Sequence, residues 1–172
     1  MLVDENWYRL FHPKVVSLVT TLNKEGKINA GTFAWLTPLS DSPPILLLAA
    51  WYESHTFKNI SETKEFVVNI TPKQLKKEVQ ICAKTFPEGV NELEEAGLSW
   101  FPSKTVKPPR VKECMAWVEC VAKEVVKKEE EYSFIIADVK CVEVKEECYR
   151  NFMPKKEVLL HLGGKDYSSI KV

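Results

Sequence analysis

The chain has 172 residues, of which 45% are hydrophobic and 28% are charged, so a globular protein with a sizeable core is expected, as a single domain over residues 1–172. Lysine plus arginine and aspartate plus glutamate both number 24, which argues against nucleic acid and membrane surfaces as partners. The longest apolar run, residues 45–52, is far shorter than the roughly 20 residues that cross a bilayer, and no signal peptide follows Met1, so a cytoplasmic location is expected.

The five cysteines do not form a metal or redox motif. Their number is odd and no C-x-x-C occurs, so neither a zinc site nor a thioredoxin-like motif is expected. We expect reduced thiols in the core, where cysteine behaves as a small apolar residue. A disulfide between neighbouring strands is an open alternative, because spacing alone does not define a pairing. The cysteines are Cys82, Cys114, Cys120, Cys141 and Cys148.

The first part of the chain predicts a short helix followed by a β-hairpin. Residues 1–12 contain W-Y-R-L-F, spaced as in a small amphipathic helix, and Pro13 ends it. The segment Val15–Leu22 is β-branched and continuous, which predicts a buried strand. The following N-K-E-G-K is typical of a hairpin turn in which Gly26 takes a positive φ, and Ile28–Trp35 is then the second strand.

A loop containing three prolines is expected at residues 36–44, before a third strand at Ile45–Tyr52. Ser54 follows as the N-cap of a short helix that ends near residue 62, and Glu65–Ile70 is typical of the next strand. The pair T-P at 71–72 predicts another helix start, with threonine as the cap and proline in the first turn. The buried face of that helix is expected to carry Leu75, Val79 and Cys82.

A further helix is predicted at Val90–Ala96, ended by Gly97, and Ser103–Val111 is expected to be an extended loop. The segments Lys112–Lys127 and Tyr132–Lys145 alternate with a period near two, which predicts a long hairpin with one face in water and the charged turn K-E-E-E between its strands. Many strands, few helices and antiparallel connections favour a mainly β protein with a closed barrel over a parallel α/β sheet.

The stretch from residue 28 to residue 59 carries features that suggest a ligand. Ala30 and Gly31 permit close approach to the backbone, and hydroxyl groups and prolines follow on an extended path. Ser54 and Thr56 come just after a buried strand, where the free N–H groups and positive dipole of a helix start suit a phosphate. Flat apolar backbone beside such a helix start is what flavin mononucleotide (FMN) requires.

Five motifs follow one another along the chain: N-A-G-T-F-A-W-L-T-P-L-S-D-S-P-P after a strand, then S-H-T-F-K-N-I, E-F-V-V-N-I, E-A-G-L and a closing H-L-G-G-x-x-Y. Together they resemble the flavin reductase-like family over residues 13–167, with S-x-x-P-P and S-H-T-x-x-N-I as the most specific pair. The resemblance implies an antiparallel Greek-key split β-barrel with a few short peripheral helices. It further implies bound FMN and a homodimer, with the flavin near the subunit interface.

The resemblance also implies which residues hold the cofactor. Along the flavin ring and ribityl chain it places Asn29, Ala30, Thr32, Phe33, Thr37 and Ser40. At the phosphate end it places Ser54, His55, Thr56 and Asn59. Glu53 stands where many members carry arginine, so Lys58 is expected to supply the missing charge. His161 reaches the ring from the tail and is the one side chain considered for catalysis, and no metal ligand is expected.

Several of these residues have a purely structural alternative. Thr37 and Ser40 build turns, Ser54 caps a helix, Lys58 is solvated, and His161 is a core or interface residue. Aromatic side chains either stack on the ring and shield it or belong to the core. Those considered for stacking are Trp35, Trp51, Phe57, Phe86 and Trp100.

Three functions are consistent with these patterns. In the first, hydride passes from NADH or NADPH to bound FMN, and electrons go on to free flavin, ferric iron or a protein acceptor. The second is an FMN-containing electron carrier that a partner protein reduces, without a nicotinamide site, and the third is a non-catalytic barrel. Because no G-x-G-x-x-G occurs, a nicotinamide is expected to bind without a Rossmann domain, transiently against the exposed flavin face.

Overall fold

The computed structural model of the chain describes residues 4–128 and 131–170. Residues 1–3 of the predicted lead-in and residues 129–130 of the predicted K-E-E-E turn lie outside the described residues. The strands are β1 (Lys14–Val15), β2 (Ser17–Leu22), β3 (Ile28–Phe33), β4 (Leu36–Asp41), β5 (Pro44–Trp51), β6 (Glu65–Ile70), β7 (Trp100–Phe101), β8 (Arg110–Val111), β9 (Ala116–Val126), β10 (Tyr132–Val144), β11 (Tyr149–Arg150), β12 (Met153–Pro154), β13 (Val158–Gly163) and β14 (Asp166–Ile170). The helices are α1 (His55–Thr63), α2 (Lys76–Cys82) and α3 (Glu92–Glu95), with 3₁₀ turns at Trp7–Phe11 and Lys73–Leu75.

Seven strands form one antiparallel sheet in the order β3-β2-β6-β9-β10-β5-β4. Strands β3 and β4 are therefore at opposite edges, yet only Ala34 and Trp35 separate them in sequence. A flat sheet of this width would hold its edge strands about 29 Å apart. The chain from Phe33 to Leu36 spans at most about 11 Å, because each Cα–Cα step is ~3.8 Å. The sheet therefore curls until its two edges approach each other, and the protein is a mainly β split barrel. The line along which β3 and β4 approach each other is called the seam.

Both faces of β2 are buried, because its alternate side chains enter two different cores. Leu18 packs with side chains of α2, α3 and β13, whereas Val19 packs inside the barrel with side chains of β5, α1 and β6. Strand β2 therefore carries a continuous buried run instead of an alternating one. The continuous pattern predicted this burial correctly over residues 16–21, whereas Val15 lies on the separate strand β1 and is exposed.

A smaller sheet in the order β1-β13-β14 joins the first of these cores through Leu159. Its attachment is made by backbone bonds, from Val16 N–H to the Leu159 carbonyl and from Leu159 N–H to the Thr71 carbonyl, both 3.0 Å long. This sheet brings the loop between β13 and β14 beside the N-terminal 3₁₀ turn. Across residues 4–128 and 131–170, no helix has the length and apolarity needed to cross a bilayer.

Most elements around the seam occupy their predicted positions. The β2–β3 hairpin has Gly26 at φ +78°, Ser54 caps α1, and β5 and β6 follow the predicted bounds to within one residue. The predicted long hairpin is β9–β10, and the side chains expected on the buried face of α2 are buried. All five cysteines lie in the described part of the chain and are free thiols, four of them buried.

Three predictions of local structure are wrong. Residues 36–44 do not form a loop, because β4 pairs with β5; the register shifts just after Pro38, as expected for a proline that has no N–H to donate to a ladder. Thr71 does not cap a helix, since its Oγ1 donates to the Val16 carbonyl at 2.8 Å and a 3₁₀ turn precedes α2. The lead-in forms a 3₁₀ turn without buried residues instead of an amphipathic α-helix.

The predicted wet face of the β9–β10 hairpin is also wrong over the first half of β9, because residues 102–111 cover it. Glu119 on this face is fully buried and accepts a hydrogen bond from Arg110 Nε at 2.7 Å. Arg110 is buried as well and pairs with Glu143 at 2.8 Å. The backbone N–H groups of residues 104 and 105 also donate to Glu119. A charged residue on the predicted hairpin is thus the centre of an internal ion-pair cluster.

Candidate functional site

A cleft of about 400 Å³ opens at the seam. Its walls come from β3 and residues 34–35, the end of β5, the first turn of α1, residues 82–86 after α2, and the first residue of β10. α3 contributes Glu92, and β13 contributes His161. Strands β3 and β4 are not paired with each other, so the outer backbone groups of β3 are turned towards neighbouring side chains and the cleft instead of towards another strand.

Helix α1 begins at the edge of this cleft with a side-chain cap. Ser54 Oγ accepts a hydrogen bond from the N–H of Phe57 at 3.2 Å. The first backbone bond of the helix runs from the N–H of Lys58 to the Ser54 carbonyl at 3.0 Å, so the N–H groups of His55 and Thr56 are not used within the helix. Together with the positive end of the helix dipole, they make this turn suited to an anion.

Five polar side chains on and beneath α1 share one hydrogen-bond network, and the fifth, Asn59, joins it through Thr21. The Asn29 amide lies 3.2 Å from Thr21 Oγ1 and 3.1 Å from Thr56 Oγ1. With its nitrogen turned towards Glu92, the amide donates to Oε1 at 3.3 Å and its oxygen accepts from both threonines. Glu92 Oε2 accepts from the N–H of Ala30 at 2.8 Å. The floor of the cleft is therefore polar and internally satisfied.

Sequence reasoning did not assign Glu92 or Cys82 to the site. Glu92 is only 5% exposed, and burial raises the pKa of its carboxyl, although the Ala30 N–H and the nearby charge of His55 act in the opposite direction. Burial and the Glu92 carboxylate raise the pKa of Cys82 to about 12. Cys82 is therefore a neutral thiol and a poor nucleophile near neutral pH. The sequence carries no signal for Glu92, because the three glutamates of E-L-E-E look alike.

Aromatic rings form one wall of the cleft. Trp35 stacks on Tyr132 with ring centroids 4.6 Å apart, and Trp51 meets Tyr132 edge-on at 5.8 Å. Among the aromatic residues considered from the sequence, Trp35, Trp51 and Phe86 line the cleft, whereas Phe57 is in the barrel core and Trp100 is on β7, outside the cleft. Sequence reasoning missed Tyr132, which reaches the site because its strand pairs it with Trp51.

The cleft brings together seven of the twelve residues that the sequence predicted to hold the cofactor. These are Asn29, Thr32, Phe33, Ser54, His55, Thr56 and His161. The side chain of Ala30 is buried in the core, Thr37 and Ser40 lie on β4, and Lys58 and Asn59 line a separate hollow on another side of α1. The Asn59 amide donates to Thr21 Oγ1 at 3.0 Å and so supports the polar floor. Lys84 lines the cleft in place of Lys58.

A split barrel with a cofactor-sized cleft at its seam defines a class of small β proteins. Within that class, the sequence matches the flavin reductase like domain over residues 8–169, and the chain belongs to this family. The resemblance drawn from the motifs is thereby confirmed. A protein of Aquifex aeolicus is 36% identical over 113 residues, which cover 63% of this chain and 58% of that protein. A protein of Methanothermobacter thermautotrophicus is 31% identical over 140 residues, which cover 80% and 66%. The chain therefore spans less than two thirds of these relatives.

Solved structures reproduce the same fold over nearly the whole chain. Nitrilotriacetate monooxygenase component B from Bacillus cereus superposes with a TM-score of 0.87 at 23% identity, covering 99% of this chain and 93% of that one. An FMN-binding protein from Thermus thermophilus gives 0.87 at 20% identity, with 99% and 94% covered. Flavoredoxin of Desulfovibrio vulgaris gives 0.83 at 19% identity, with 94% and 88% covered. At these identities the likeness shows the fold, which confirms the predicted split barrel.

Proposed function

We propose that this chain binds FMN in the cleft and acts as a flavin-dependent oxidoreductase. The observation that carries the proposal is the position of a capped helix start, with two unused N–H groups, beside an aromatic cleft at the seam. Membership of the flavin reductase like domain family supports it, as does the likeness in fold to a protein described as FMN-binding. The polar floor and the neutral thiol leave no activated side-chain nucleophile there.

The first turn of α1 is the proposed phosphate site. The N–H groups of His55 and Thr56 donate to the phosphate, while Ser54 holds the helix start in shape through its cap. Lys58 lines the adjoining hollow instead of the cleft, so it is less well placed to supply the positive charge that Glu53 does not. Lys84 lines the cleft itself and is the better candidate for a charge-assisted contact.

The flavin ring is proposed to lie along β3 and the aromatic wall. The Ala30 N–H points away from β2 to Glu92, so strand alternation puts the Thr32 N–H on the same open side, where it can donate to a ring heteroatom. The stacked rings of Trp35 and Tyr132 offer the flavin an aromatic wall. Bound FMN supplies the hydride-accepting and electron-donating chemistry. The protein holds and orients the ring, and no side-chain acid is required for hydride transfer.

The proposed electron donor is NADH or NADPH, and the proposed acceptors are free flavin, ferric iron or a protein. Anaerobic mixing of the FMN-loaded protein with each nicotinamide tests this step, because hydride transfer bleaches the yellow colour of the flavin. Prompt bleaching supports the reductase. Bleaching with dithionite but with neither nicotinamide would point to an electron carrier. A purified chain that takes up no FMN would overturn the flavin proposal and leave a non-catalytic barrel.

The protein is also proposed to act as a homodimer. The outer side of the β5–β10 pair carries Trp51, Tyr132 and Phe134, which are 41%, 44% and 39% exposed, whereas an outer strand face in water normally carries polar residues. An apolar face of this kind gains from being covered by a second copy. Trp51 and Tyr132 also line the cleft, so a dimer through this face would border the site.

A further inference from the structure

Two segments that are distant in sequence, residues 9–14 and the end of β13, meet at one border of the cleft. His12 follows the N-terminal 3₁₀ turn, and its ring centroid lies 5.2 Å from that of His161 on β13. Lys14 on β1 is the strand partner of His161. Arg9 lies across the β13–β14 turn, since a Cβ added to Gly163 would be 3.3 Å from its side chain. We call Arg9, His12, Lys14 and His161 the basic rim; it opens on the cleft through His161.

In the basic rim, Lys14 lies over an aromatic ring and Arg9 lies against backbone, and neither is paired with a carboxylate of the described residues. Lys14 Nζ lies 6.0 Å from the centroid of the Trp35 ring, and Tyr8 bridges Trp35 and His12 with centroid distances of 5.6 and 6.0 Å. Within residues 4–128 and 131–170, neither Arg9 nor Lys14 takes part in a salt bridge. Both cations are thus without a paired carboxylate in the part of the chain that the structure describes.

The two imidazoles add unused hydrogen-bonding atoms. Both ring nitrogens of His12 and Nδ1 of His161 are buried and have no partner among the described residues, while Nε2 of His161 lies 3.1 Å from the Gly164 carbonyl. A buried polar atom without a partner destabilises the protein, so a ligand that supplies the partner is favoured. Nε2 of His161 carries the ring proton, because the Gly164 carbonyl can only accept, so His12 is the imidazole with an N–H left to donate. An N–H donor beside the Arg9 and Lys14 cations favours an oxyanion.

We propose that the basic rim binds a phosphate group of the small-molecule electron donor, while the rest of that molecule reaches into the cleft. This inference rests on the proposed function, because it assumes that the cleft holds the flavin. The rim is built from β1, β13 and the 3₁₀ turn, whereas the proposed flavin phosphate site is the first turn of α1. The two phosphate sites are therefore separate and can be tested apart.

The chain contains three histidines, and their positions make the test direct. His12 and His161 belong to the rim, and His55 reports on the first turn of α1. The full flavin-free chain is titrated with inorganic pyrophosphate, and separately with adenosine 2′,5′-bisphosphate, while the imidazole signals are followed by NMR. The imidazole signals are assigned from the spectra of H12N and H161N, because each variant lacks the signal of the histidine that it replaces. We expect the His12 and His161 signals to move with either probe, and the tighter probe identifies which phosphate of a dinucleotide the rim holds.

Charge variants test whether the rim carries the affinity. R9Q and K14Q, examined separately so that one remains informative if the other misfolds, are each expected to weaken binding of the tighter probe about tenfold, the loss of one charge-assisted contact. K123Q removes an exposed lysine on β9, outside the cleft and the rim, and is the charge-matched control; it should change the affinity less than twofold, a limit that corresponds to about 0.4 kcal/mol. Movement of the His55 signal alone, movement of none, or unchanged affinity in both rim variants would overturn the proposal.

FMN binding, measured by quenching of flavin fluorescence in the same proteins, distinguishes a failure of the rim proposal from a failure of the proposed function. R9Q and K14Q should retain FMN with unchanged affinity, because neither residue belongs to the proposed flavin phosphate site. If the wild-type chain does not bind FMN, the proposed function fails whatever the imidazole signals do. If FMN binds and the rim imidazoles do not respond to either probe, only the rim proposal fails.

Discussion

The buried pair of Arg110 and Glu119 makes the stability of the protein depend on pH. Burial acts to raise the pKa of Glu119, but hydrogen bonds from Thr105, from the backbone N–H groups of residues 104 and 105 and from Arg110 outweigh it and lower the pKa. Hydrogen bonds from Arg110 and Lys104 likewise lower the pKa of Glu143. Both carboxyls bind protons less readily in the folded state. Their stabilisation is therefore complete above the unfolded pKa of about 4.3 and is lost as the pH falls through the folded values.

We expect Glu119→Ala to lower the free energy of unfolding by about 3 kcal/mol at pH 7, because it leaves the buried guanidinium of Arg110 without its closest partner. Urea unfolding at pH 7 and pH 3.5 measures the effect. The cost should shrink at the lower pH, because the unfolded wild type then takes up a proton at Glu119 that the folded protein, with its lowered pKa, binds less readily. Asp138→Ala, which breaks the exposed pair with Lys140, is the control and should cost less than about 1 kcal/mol. An equal cost of Glu119→Ala at both pH values would contradict this account.

Gly31 is required by close packing at the cleft. Its added Cβ would lie 2.8 Å from the Phe33 ring and 3.0 Å from Thr56 Oγ1. We expect Gly31→Ala to cost about 1–3 kcal/mol of stability and also to weaken FMN binding, because Phe33 and Thr56 must move. Gly26→Ala is the matched control: that turn has φ +78° with open space around it, so stability should fall while FMN binding stays unchanged. Equal FMN affinity of both variants would remove Gly31 from the site.

At the scale of elements, the start of α1 combines a helix cap with the proposed phosphate site. Ser54→Ala together with Thr56→Ala should lower stability by roughly 1 kcal/mol through the lost cap and raise the Kd for FMN at least about tenfold, because the first turn loses its fixed shape. Fluorescence titration with FMN measures the affinity. Ser61→Ala, on the same helix with its hydroxyl bonded to the Phe57 carbonyl, is the control and should leave FMN affinity unchanged. Unchanged affinity in the double variant would refute the phosphate assignment.

Elements defined by local chemistry were predictable from the sequence. The turn at Gly26, the cap at Ser54 and the continuous apolar runs are properties of neighbouring residues, and the structure confirms them. Strand β4 was not predictable, because a proline-bearing segment becomes a strand only when β5 offers it a partner. The burial of Glu119 was not predictable, because alternation does not reveal that residues 102–111 fold back over that face.

The same distinction applies to the site. The segments N-A-G-T-F and S-H-T were recognisable because each carries its own backbone chemistry, and the residues that line the cleft from them follow one another closely in sequence. Glu92, Cys82 and Tyr132 reach the cleft through long-range packing, so no local pattern marked them. Lys58 was preferred over Lys84 because it stands near S-H-T in sequence, whereas helix geometry turns it towards another hollow.

At the scale of the whole molecule, the proposed dimer predicts a solution mass near twice the 19.7 kDa of the chain. Phe134→Lys should yield a monomer in light scattering, because it places a charge on the apolar outer face of β5–β10, and Phe134 does not line the cleft. Val142→Lys is the control, since this residue is 47% exposed on the same strand but beyond the part that pairs with β5. A wild-type chain that scatters as a monomer would refute the dimer.

The two-residue link between β3 and β4 has a consequence for how a molecule enters and leaves. The edges of the barrel can separate slightly at residues 34–35 without breaking any pairing between neighbouring strands, because no ladder joins them. The width of the opening between β3 and β4 can then change at low energetic cost, while the rest of the barrel keeps its shape. A cofactor seated there would bridge both margins. We therefore expect amide hydrogens of β3 and β4 to exchange more slowly once it is bound, and those of β6 and β9 to be unaffected.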